Sequence, residues 1–378
     1  MFILINKYLF LGDNMTDREK EILDILKTNP MISQKELADI LCITRSSVAV
    51  HITNLMKKGY IKGKGYILKK DNYITVIGGS NIDIVGIPTN PLIMYDSTPG
   101  KVNISVGGAG RNIAENICRL GINTKLISAI GNDLYGNTIL DECKNYGIDV
   151  DDCYISNEES TSIYVSVLNN SNDMKVAISH MDIIDKLDIP FINSKHLSIS
   201  DSLAIIIDTN LPEDTIDFIT KTYTTIPIFV DIVSSSKCLK IKNFLGRFEA
   251  INLSQKEAEL LSGIKISDEN DLNRCLKYFL DQGIKRVFIN LDKNNIFSSD
   301  GKNIIHIKDL NIDTVSVTGA RDAFMSGIVY SYLNKFNLKY STELSVAASI
   351  LTLSHKSAVN PNLSIESIEK TLKELISC

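Results

Sequence analysis

The amino-acid sequence predicts an α/β protein, in which a parallel β-sheet covered by helices on both faces follows a small helical domain. From residue 73 onward, short apolar runs typical of buried strands alternate with segments of helical periodicity, which favours a parallel sheet. The length of 378 residues suggests two domains or one large one. Hydrophobic residues make up 44% of the chain and charged residues 22%, as in soluble globular proteins.

The predicted strands are apolar runs that end near a polar residue or a glycine. They cover residues 73–78, 124–130, 203–208, 227–231, 248–252 and 287–291. Helical spacing of apolar residues between them predicts helices at residues 112–120, 135–146, 213–220, 255–261 and 269–281. Because ligands of such sheets bind beyond the carboxyl ends of the strands, we expect the functional site at that edge.

Two segments interrupt this alternation, at about residues 84–104 and 161–180. In the second, Ile163, Val165 and Val167 alternate with polar residues, as in half-buried antiparallel strands. We expect either a small sheet that covers the cleft as a lid and excludes water, or an edge extension of the main sheet.

Charge and cysteine content restrict the location and the partners. A net charge of −5 argues against broad affinity for nucleic acid, although a local basic face remains possible. The seven cysteines are scattered, odd in number and without a C-x-x-C pair, which indicates reduced thiols in a cytoplasmic protein. The five histidines are also scattered and predict no metal cluster.

The first residues are apolar, but the run of 11 is too short for a membrane helix, which needs about 20 residues. Because Met15 is followed by a helix-capping pattern, we expect residues 1–14 to be disordered or to reflect a non-native start.

Residues 15–70 predict three short helices, at about 16–29, 34–41 and 44–58, followed by a basic hairpin at 60–68. This order resembles a winged helix-turn-helix, in which the third helix enters the DNA major groove and the wing contacts the backbone. The alternative is a helical appendage for protein interaction or dimerisation. The residues expected to contact DNA are Arg45, Ser46, Ser47, His51 and Lys64.

Near the C-terminus, residues 314–327 predict a β-branched strand, a sharp turn at 318–320 and a helix of small residues. The free N–H groups at such a helix start form an anion site. Asp322 lies in the first turn, where it is placed to accept a proton beside a bound phosphate. The alternative is an ordinary acidic residue that stabilises the helix N-terminus.

A second glycine-rich stretch covers residues 105–116. It lacks the Gly-Lys-Ser/Thr of a phosphate-binding P-loop, and Asn112 replaces the third glycine of a dinucleotide-binding motif. The Asn112 amide can both donate to and accept from sugar hydroxyls. The alternative is a glycine turn capped by asparagine.

The pair Gly-Gly-Ala-Gly-Arg-Asn at 107–112 and Thr-Gly-Ala-Arg-Asp at 318–322 resembles the two signatures of the ribokinase-like (PfkB) carbohydrate kinases. The resemblance extends from about residue 73 to the C-terminus and implies a ribokinase-like sheet with a small β lid. Within the family it is strongest to the pseudouridine kinases, in the segments 77–83, 96–101, 230–234 and 360–364. An N-terminal helix-turn-helix also occurs in the family.

The resemblance implies ATP-dependent phosphorylation of the 5′-hydroxyl of a ribosyl nucleoside. The substrate that the resemblance favours is pseudouridine, which would become pseudouridine 5′-phosphate. The resemblance also implies that Asp322 takes the hydroxyl proton and that the N–H groups of Gly319, Ala320 and Arg321 hold the phosphate charge. Glu257 would act on Mg²⁺ through water. The substrate-binding residues implied are Asn81, Asp83, Gly108, Asn112, Asn210 and Tyr164, and those for ATP and Mg²⁺ are Ser254, Glu257, Asn290 and Thr318.

Four positions depart from the family pattern, and all lie on the ATP side. Arg321 replaces a glycine of the anion hole, and its side chain either points outward to assist phosphate or inward to block ATP or pair with Asp322. Ser254 replaces an asparagine, the loop 290–295 lacks its glycine, and Ser316 replaces an aspartate near a monovalent cation, which leaves K⁺ activation open.

Because the departures lie only on the ATP side, they support a second hypothesis, a nucleoside- or sugar-sensing transcription regulator with a weakened kinase domain. A kinase of another sugar or nucleoside is a third. A homodimer follows from the resemblance alone, because lid strands in this family often pair between subunits.

Overall fold

The chain divides into two compact units, residues 1–71 and 72–378. This computed structural model describes residues 15–61, 72–171, 173–291, 295–308 and 314–376. The expectations for residues 1–14, for most of the hairpin including Lys64, and for part of the loop 290–295 lie outside the described residues.

The N-terminal unit contains the three predicted helices, α1 (Asp17–Thr28), α2 (Gln34–Ile40) and α3 (Arg45–Lys57). Capping boxes at Thr16 and Ser33 start α1 and α2, and the Thr44 side chain caps α3, which satisfies backbone N–H groups that lack a partner within the helix. The buried apolar residues are Ile22, Leu23, Leu26, Ile32, Leu37, Ala38, Val48, Ile52, Leu55 and Ile61.

An eight-stranded sheet organises the second unit, and its order is β14-β13-β12-β11-β10-β9-β1-β4. Each predicted strand is present in it, with small shifts at the ends, except that the predicted strand 124–130 is divided between β4 of this sheet and β5 (Ala129–Gly131) of another sheet. The bounds are β1 (Ile74–Ile77), β4 (Thr124–Ile127), β9 (Ile205–Asp208), β10 (Ile228–Asp231), β11 (Ala250–Ser254), β12 (Arg286–Leu291), β13 (Asn295–Ser299) and β14 (Ile304–Ile307).

The sheet is mixed, whereas the sequence predicts a parallel one. The six strands from β12 to β4 are parallel, but β13 and β14 are antiparallel additions at one edge. The reason is the short connection after Leu291, because a few residues can join only antiparallel neighbours and a parallel crossover needs a dozen or more.

Helices cover both faces of the sheet, as predicted. Alternate strand residues enter two separate apolar layers, such as Ile77 and Ile207 on one face and Val76 and Ile206 on the other. The helices of this unit are α4 (Ala109–Arg119), α5 (Leu134–Asn145), α6 (Ile189–Ser194), α7 (His196–Ser200), α8 (Glu213–Thr222), α9 (Gln255–Ser262), α10 (Glu269–Asp281), α11 (Ala320–Leu333), α12 (Leu338–Leu353) and α13 (Ile365–Ile376). In the described part of the chain, no helix has the length and apolar character needed to cross a membrane.

The two interrupting segments form a separate four-stranded sheet in the order β3-β2-β7-β8, so their assignment as an edge extension of the main sheet is wrong. Its β2–β7 pair is parallel, and the other two pairs are antiparallel. We call this the lid sheet: β2 (Asn81–Pro88), β3 (Gly100–Gly107), β7 (Ile163–Leu168) and β8 (Met174–His180). A two-stranded sheet pairs β5 (Ala129–Gly131) with β6 (Tyr154–Ser156).

The sequence predicts a strand before α11, but residues 314–319 contain no strand. The N–H groups of Val315 and Ser316 instead donate to the carbonyl oxygen of Leu353, at the end of α12. Val315 and Val317 are exposed, so their β-branched side chains do not mark a buried strand here.

Candidate active site

The Asp208 carboxylate ties together three segments at the carboxyl edge of the main sheet. Its Oδ2 accepts from the N–H groups of Gly79 and Gly110, at 2.7 and 2.9 Å, and its Oδ1 accepts from the N–H of Asn210 at 2.8 Å. The side chain is fully buried. Burial raises the pKa of Asp208, and the N–H donors act in the opposite direction.

Gly108 permits close packing where β3 leads into α4. It has a φ of +101°, and a Cβ here would lie 2.5 Å from the carbonyl oxygen of Gly79. Only glycine fits this backbone and this contact. The N-terminus of α4, including Asn112, is thereby held against the segment that follows β1.

The predicted sugar-binding residues meet at the junction of the lid sheet and the main sheet. Asn81 donates from Nδ2 to Asp83 Oδ1 at 2.7 Å. Asp83 lies opposite Tyr164 in the β2–β7 register, and the Tyr164 hydroxyl reaches Met174 Sδ at 3.4 Å. Burial raises the pKa of Asp83, whereas the Asn81 hydrogen bond and the charge of Arg111 lower it.

Asn210 belongs to the same region. Its Oδ1 accepts from Lys237 Nζ at 2.6 Å, and a hydrogen bond from its side chain lowers the pKa of Asp208. A Cβ on Gly79 would lie 2.7 Å from Asn210 Nδ2, so Asn210 lies beside the turn that leads from β1 to Asn81.

Helix α11 begins at a strained turn, as the anion-site prediction requires. Gly319 has a φ of +82°, and a Cβ here would lie 1.7 Å from the carbonyl oxygen of Ala358, so no other residue fits. The first N–H groups of a helix lack partners within the helix. Those of Gly319, Ala320, Arg321 and Asp322 are therefore available to an anion.

Asp322 and Asn112 are joined by a buried hydrogen bond, from Asn112 Nδ2 to Asp322 Oδ2, at 2.8 Å. Asn112 Oδ1 in turn accepts from Arg111 Nη1 at 3.3 Å. Arg111 Nη2 contacts Glu115 at 2.7 Å and Glu142 at 3.1 Å. This chain of contacts fixes the Asn112 amide with its donor toward Asp322.

The environment of Asp322 favours its protonated form. Burial is the main cause that raises its pKa well above the ordinary value, and the negative charge of Asp231 adds to it. The Asn112 hydrogen bond and the Arg321 charge lower the pKa in part. A carboxylate with a raised pKa is a stronger base once it is deprotonated.

The predicted pairing of Arg321 with Asp322 is not formed, because the Arg321 side chain pairs with Glu257. Its Nη1 lies 2.9 Å from Glu257 Oε1 and 3.0 Å from Oε2, and its Nη2 donates to the carbonyl oxygen of Asn252 at 3.2 Å. Arg321 and Asp322 are adjacent in the sequence, but the Arg321 side chain extends to Glu257 and the Asp322 side chain extends to Asn112.

Glu257 does not fit its predicted role at Mg²⁺ in this arrangement. Both of its carboxylate oxygens contact Arg321, and Oε2 also accepts from the N–H of Ser254 at 2.8 Å. Its charge is therefore neutralised within the protein. Among the described residues, no group of three or more His, Cys, Asp or Glu is placed to hold a metal ion.

The remaining predicted nucleotide-side residues lie at the ends of β11 and β12 and at the turn before α11. Asn290 Nδ2 donates to Asn252 Oδ1 at 2.7 Å. An open cleft of about 290 Å³ is lined by Ser254, Gln255, Lys256, Glu259, Asn290 and Leu291. Thr318 is exposed, and its N–H donates to Ser316 Oγ at 3.3 Å.

Four important residues were missed from the sequence: Arg111, Asp208, Asp231 and Asn252. Burial raises the pKa of Asp231 to about 6, and the charge of Arg321 opposes that rise. Three of the four lie at or near the carboxyl ends of buried strands, and an acid or amide in that position was a usable signal. Arg111 carried no such signal, because its partners are the adjacent Asn112, Glu115 one helical turn along α4, and Glu142, which is 31 residues away in α5.

The predicted DNA-contacting residues lie on α3. Arg45 and Ser46 are exposed, and Ser47 and His51 are half-buried. Thr44 Oγ1 contacts the hydroxyls of both serines at 2.9 Å.

Comparison with known proteins agrees with this geometry. The pfkB family carbohydrate kinase model matches residues 71–365, and a winged helix-turn-helix DNA-binding model matches residues 15–62. The uncharacterized sugar kinase YeiI of Escherichia coli (strain K12) is 36% identical over 93% of this chain and 98% of its own. Pseudouridine kinase of the same strain is 32% identical over 80% of this chain and 96% of its own.

A crystal structure of a proposed sugar kinase from Clostridium perfringens has 34% identity and a TM-score of 0.72, and it covers 81% of this chain and 96% of its own. Fold and site together define a sugar or nucleoside kinase with a ribokinase-like fold. The chain belongs to the PfkB family of carbohydrate kinases, and its N-terminal helical region matches a winged helix-turn-helix. The predicted family, fold class and enzyme class are confirmed.

Replacing Asp208 by asparagine should destabilise the protein by about 2–5 kcal/mol, because an amide nitrogen must then face a backbone N–H and a buried donor loses its acceptor. Asp281→Asn, at an exposed helix end, is the matched control and should change stability by less than about 0.5 kcal/mol. Urea unfolding measures both. Equal stability of the two variants would show that the Asp208 carboxylate does not hold these segments.

Proposed function

We propose that this kinase transfers the γ-phosphoryl group of ATP to the 5′-hydroxyl of a ribosyl nucleoside, with pseudouridine as the leading candidate. The observation that carries the proposal is the buried Asp322 carboxylate, held by Asn112 beside the free N–H groups of α11. The relative at 32% identity is a pseudouridine kinase, and the segments quoted for the resemblance favour the same substrate.

The sugar is bound at the junction of the lid sheet and the main sheet. Asn81, Asp83 and Asn112 bond the ribosyl hydroxyls, because a polyol offers donors and acceptors on adjacent carbons. Gly108 lets the backbone approach the sugar closely, and Asn210 contacts it from the other side. Tyr164, next to Asp83 on the lid sheet, contacts the base.

The reaction moves one proton and one phosphoryl group. The 5′-oxygen attacks the γ-phosphorus while Asp322 accepts the hydroxyl proton, and the bond from the γ-phosphorus to the bridging oxygen of ADP breaks. The N–H groups of Gly319, Ala320 and Arg321 hold the charge of the transferred group. Ser254, Asn290 and Thr318 line the nucleotide side. Mg²⁺, which arrives with ATP, supplies charge neutralisation when bound.

The N-terminal unit binds DNA through α3. Arg45 and Ser46 face solvent at its start, with Ser47 and His51 beside them, and Lys64 of the predicted wing lies outside the described residues. The match to a winged helix-turn-helix DNA-binding model supports this role. Fluorescence anisotropy with duplex DNA at several salt concentrations tests it, since phosphate contacts make affinity fall with salt.

A second copy of the chain is the partner proposed for the lid sheet. The face opposite Asp83 and Tyr164 is apolar across all four strands by register. Val102, Ile104, Val176 and Ile178 on that face are each more than half exposed, and large exposed apolar patches mark interaction sites. Light scattering measures the oligomeric state directly.

The free thiols of the described cysteines support a cytoplasmic location.

An ADP-release assay should detect turnover with pseudouridine at a kcat/KM at least about tenfold above that with uridine or ribose, as expected when one base contact is worth about 1.4 kcal/mol. Nucleoside binding by calorimetry, with no turnover of any nucleoside or sugar, would instead establish a sensing regulator. Preferred turnover of another substrate would overturn the choice of pseudouridine alone.

Asp322→Asn should lower kcat by about 10²–10⁴-fold, because general base catalysis is lost, while nucleoside affinity changes little. The asparagine preserves the shape of the site and can still accept the Asn112 hydrogen bond. Steady-state kinetics and calorimetry measure the two quantities, with Asp281→Asn as the control. Unaltered turnover would remove Asp322 as the base.

The pH profile should report the raised pKa of Asp322. At saturating Mg·ATP, kcat/KM for the nucleoside should fall as pH drops through a value well above the ordinary aspartate range, since protonation removes the base. In Asn112→Leu this acid limb should move to higher pH, because the hydrogen bond that lowers the pKa is gone. A limb that stays in place, or moves to lower pH, would contradict the assignment.

A further inference from the structure

The Arg321–Glu257 pair is a built feature of the nucleotide side. Glu257 is buried, and about a third of the Arg321 side chain is exposed, at 35%. The pair is anchored from both ends, since Glu257 belongs to the capping box that starts α9 and Arg321 also donates to the Asn252 carbonyl. The guanidinium is therefore held at the start of α11, on the same turn as the free N–H groups.

The guanidinium retains unused donors at this position. Nη1 is directed at Glu257 and one donor of Nη2 at Asn252, which leaves Nε–H and the second N–H of Nη2. In the described part of the chain, Arg321 Nε and Asn252 Nδ2 are buried donors without a hydrogen-bond partner. Buried polar atoms without partners are rare in folded proteins, and Arg321 also donates to the carbonyl oxygen of Asn252, so these two donors indicate a site completed by a ligand with acceptor oxygens.

The ligand class follows from the charge and the shape. Arginine presents a planar fork of donors that matches phosphate oxygens and keeps its charge at any working pH. An arginine supplied within the chain stabilises transferring phosphoryl groups in other phosphotransferases. Glu257 is paired with this same arginine, so its charge no longer repels an anion, whereas Asp231 remains a carboxylate near the guanidinium.

We infer that Arg321, supported by Glu257, is the polyphosphate-binding cation of this enzyme, and that Glu257 positions Arg321 instead of acting on Mg²⁺. The inference rests on the proposed use of ATP and deepens it. It assigns the guanidinium to the phosphate chain of ATP and makes ATP binding less dependent on Mg²⁺. No bond is made or broken by either residue.

Calorimetric titration of ATP tests this without any nucleoside or turnover. It is carried out once in EDTA and once in excess Mg²⁺, on the wild type, R321Q, E257Q and the double variant R321Q/E257Q. The quantity compared is the Mg²⁺ factor, the ratio of Kd in EDTA to Kd in Mg²⁺. Thermal unfolding of each protein checks that it is folded.

The wild type should bind ATP measurably in EDTA, and R321Q should bind at least about tenfold more weakly there, as loss of hydrogen bonds to a charged group predicts. In R321Q the Mg²⁺ factor should rise by about the same tenfold, because the unpaired Glu257 then repels free ATP and favours its Mg²⁺ complex. The double variant should return the Mg²⁺ factor to the wild-type value, and E257Q should leave it unchanged.

Three results would overturn the inference: no ATP binding by the wild type in EDTA, equal or tighter binding by R321Q in EDTA, or a loss in E257Q confined to the Mg²⁺ titration. The second would show that Arg321 obstructs the phosphates, and the third that Glu257 acts on Mg²⁺. If R321Q does not fold, the ATP affinity in EDTA is compared between E257Q and the double variant. This comparison measures the effect of Arg321 in a protein that lacks the Glu257 charge.

This experiment is independent of the test of the proposed function. Arginine-dependent ATP binding together with an absence of nucleoside turnover would leave the inference standing and remove the proposed reaction. Turnover of a nucleoside with ATP affinity that does not depend on Arg321 would do the reverse.

Discussion

One buried hydrogen bond, from Asn112 to Asp322, connects the two glycine-rich turns on which the site is built. The residues are 210 positions apart, and each lies in the first turn of a helix that starts at the carboxyl edge of the sheet. The hydrogen bond joins the first turn of α4 to the first turn of α11, and the contact with Arg111 keeps the Asn112 amide in the orientation that makes this possible. In the proposed reaction, substrate binding and proton transfer depend on the same amide.

The first turn of α11 also separates two electrostatic environments. Asp322 is buried among carboxylates, which raises its pKa, whereas its neighbour Arg321 is paired with Glu257. Glu257 is buried, so removing Arg321 would leave its carboxylate without the partner that neutralises it, and this costs more than the loss of an exposed pair. The arginine is thus part of the local structure as well as a positive charge at the start of α11.

Much of the architecture was predictable from local signals. Buried strands such as β9 and β10 are uninterrupted apolar runs, and Thr16, Ser33 and Ser254 mark helix starts because their side chains accept from backbone N–H groups. The antiparallel edge strands β13 and β14 were not predicted, because their short connection carries no distinct pattern. The strand expected before α11 was wrong, since β-branched residues favour extended backbone whether or not a neighbouring strand is available.

The site was predictable only in part. Asp322 and Asn112 were singled out because their glycine-rich turns place polar groups at helix starts, whereas Asn81 and Asp83 were named only through the family resemblance. The direction of Arg321 was not, because it depends on Glu257, which is 64 residues away in sequence. Asp208 was passed over for a similar reason, since two of its three N–H donors, Gly79 and Gly110, lie 129 and 98 residues away in the sequence.

The most direct test of the account is a crystal structure with pseudouridine and a non-hydrolysable ATP analogue. The account predicts an Asp322 carboxylate oxygen within about 3.2 Å of the 5′-oxygen of the nucleoside, and the 5′-oxygen in line with the γ-phosphorus. A nucleoside bound with its 5′-oxygen pointing away from Asp322, or with no order in the site at saturating concentration, would contradict it.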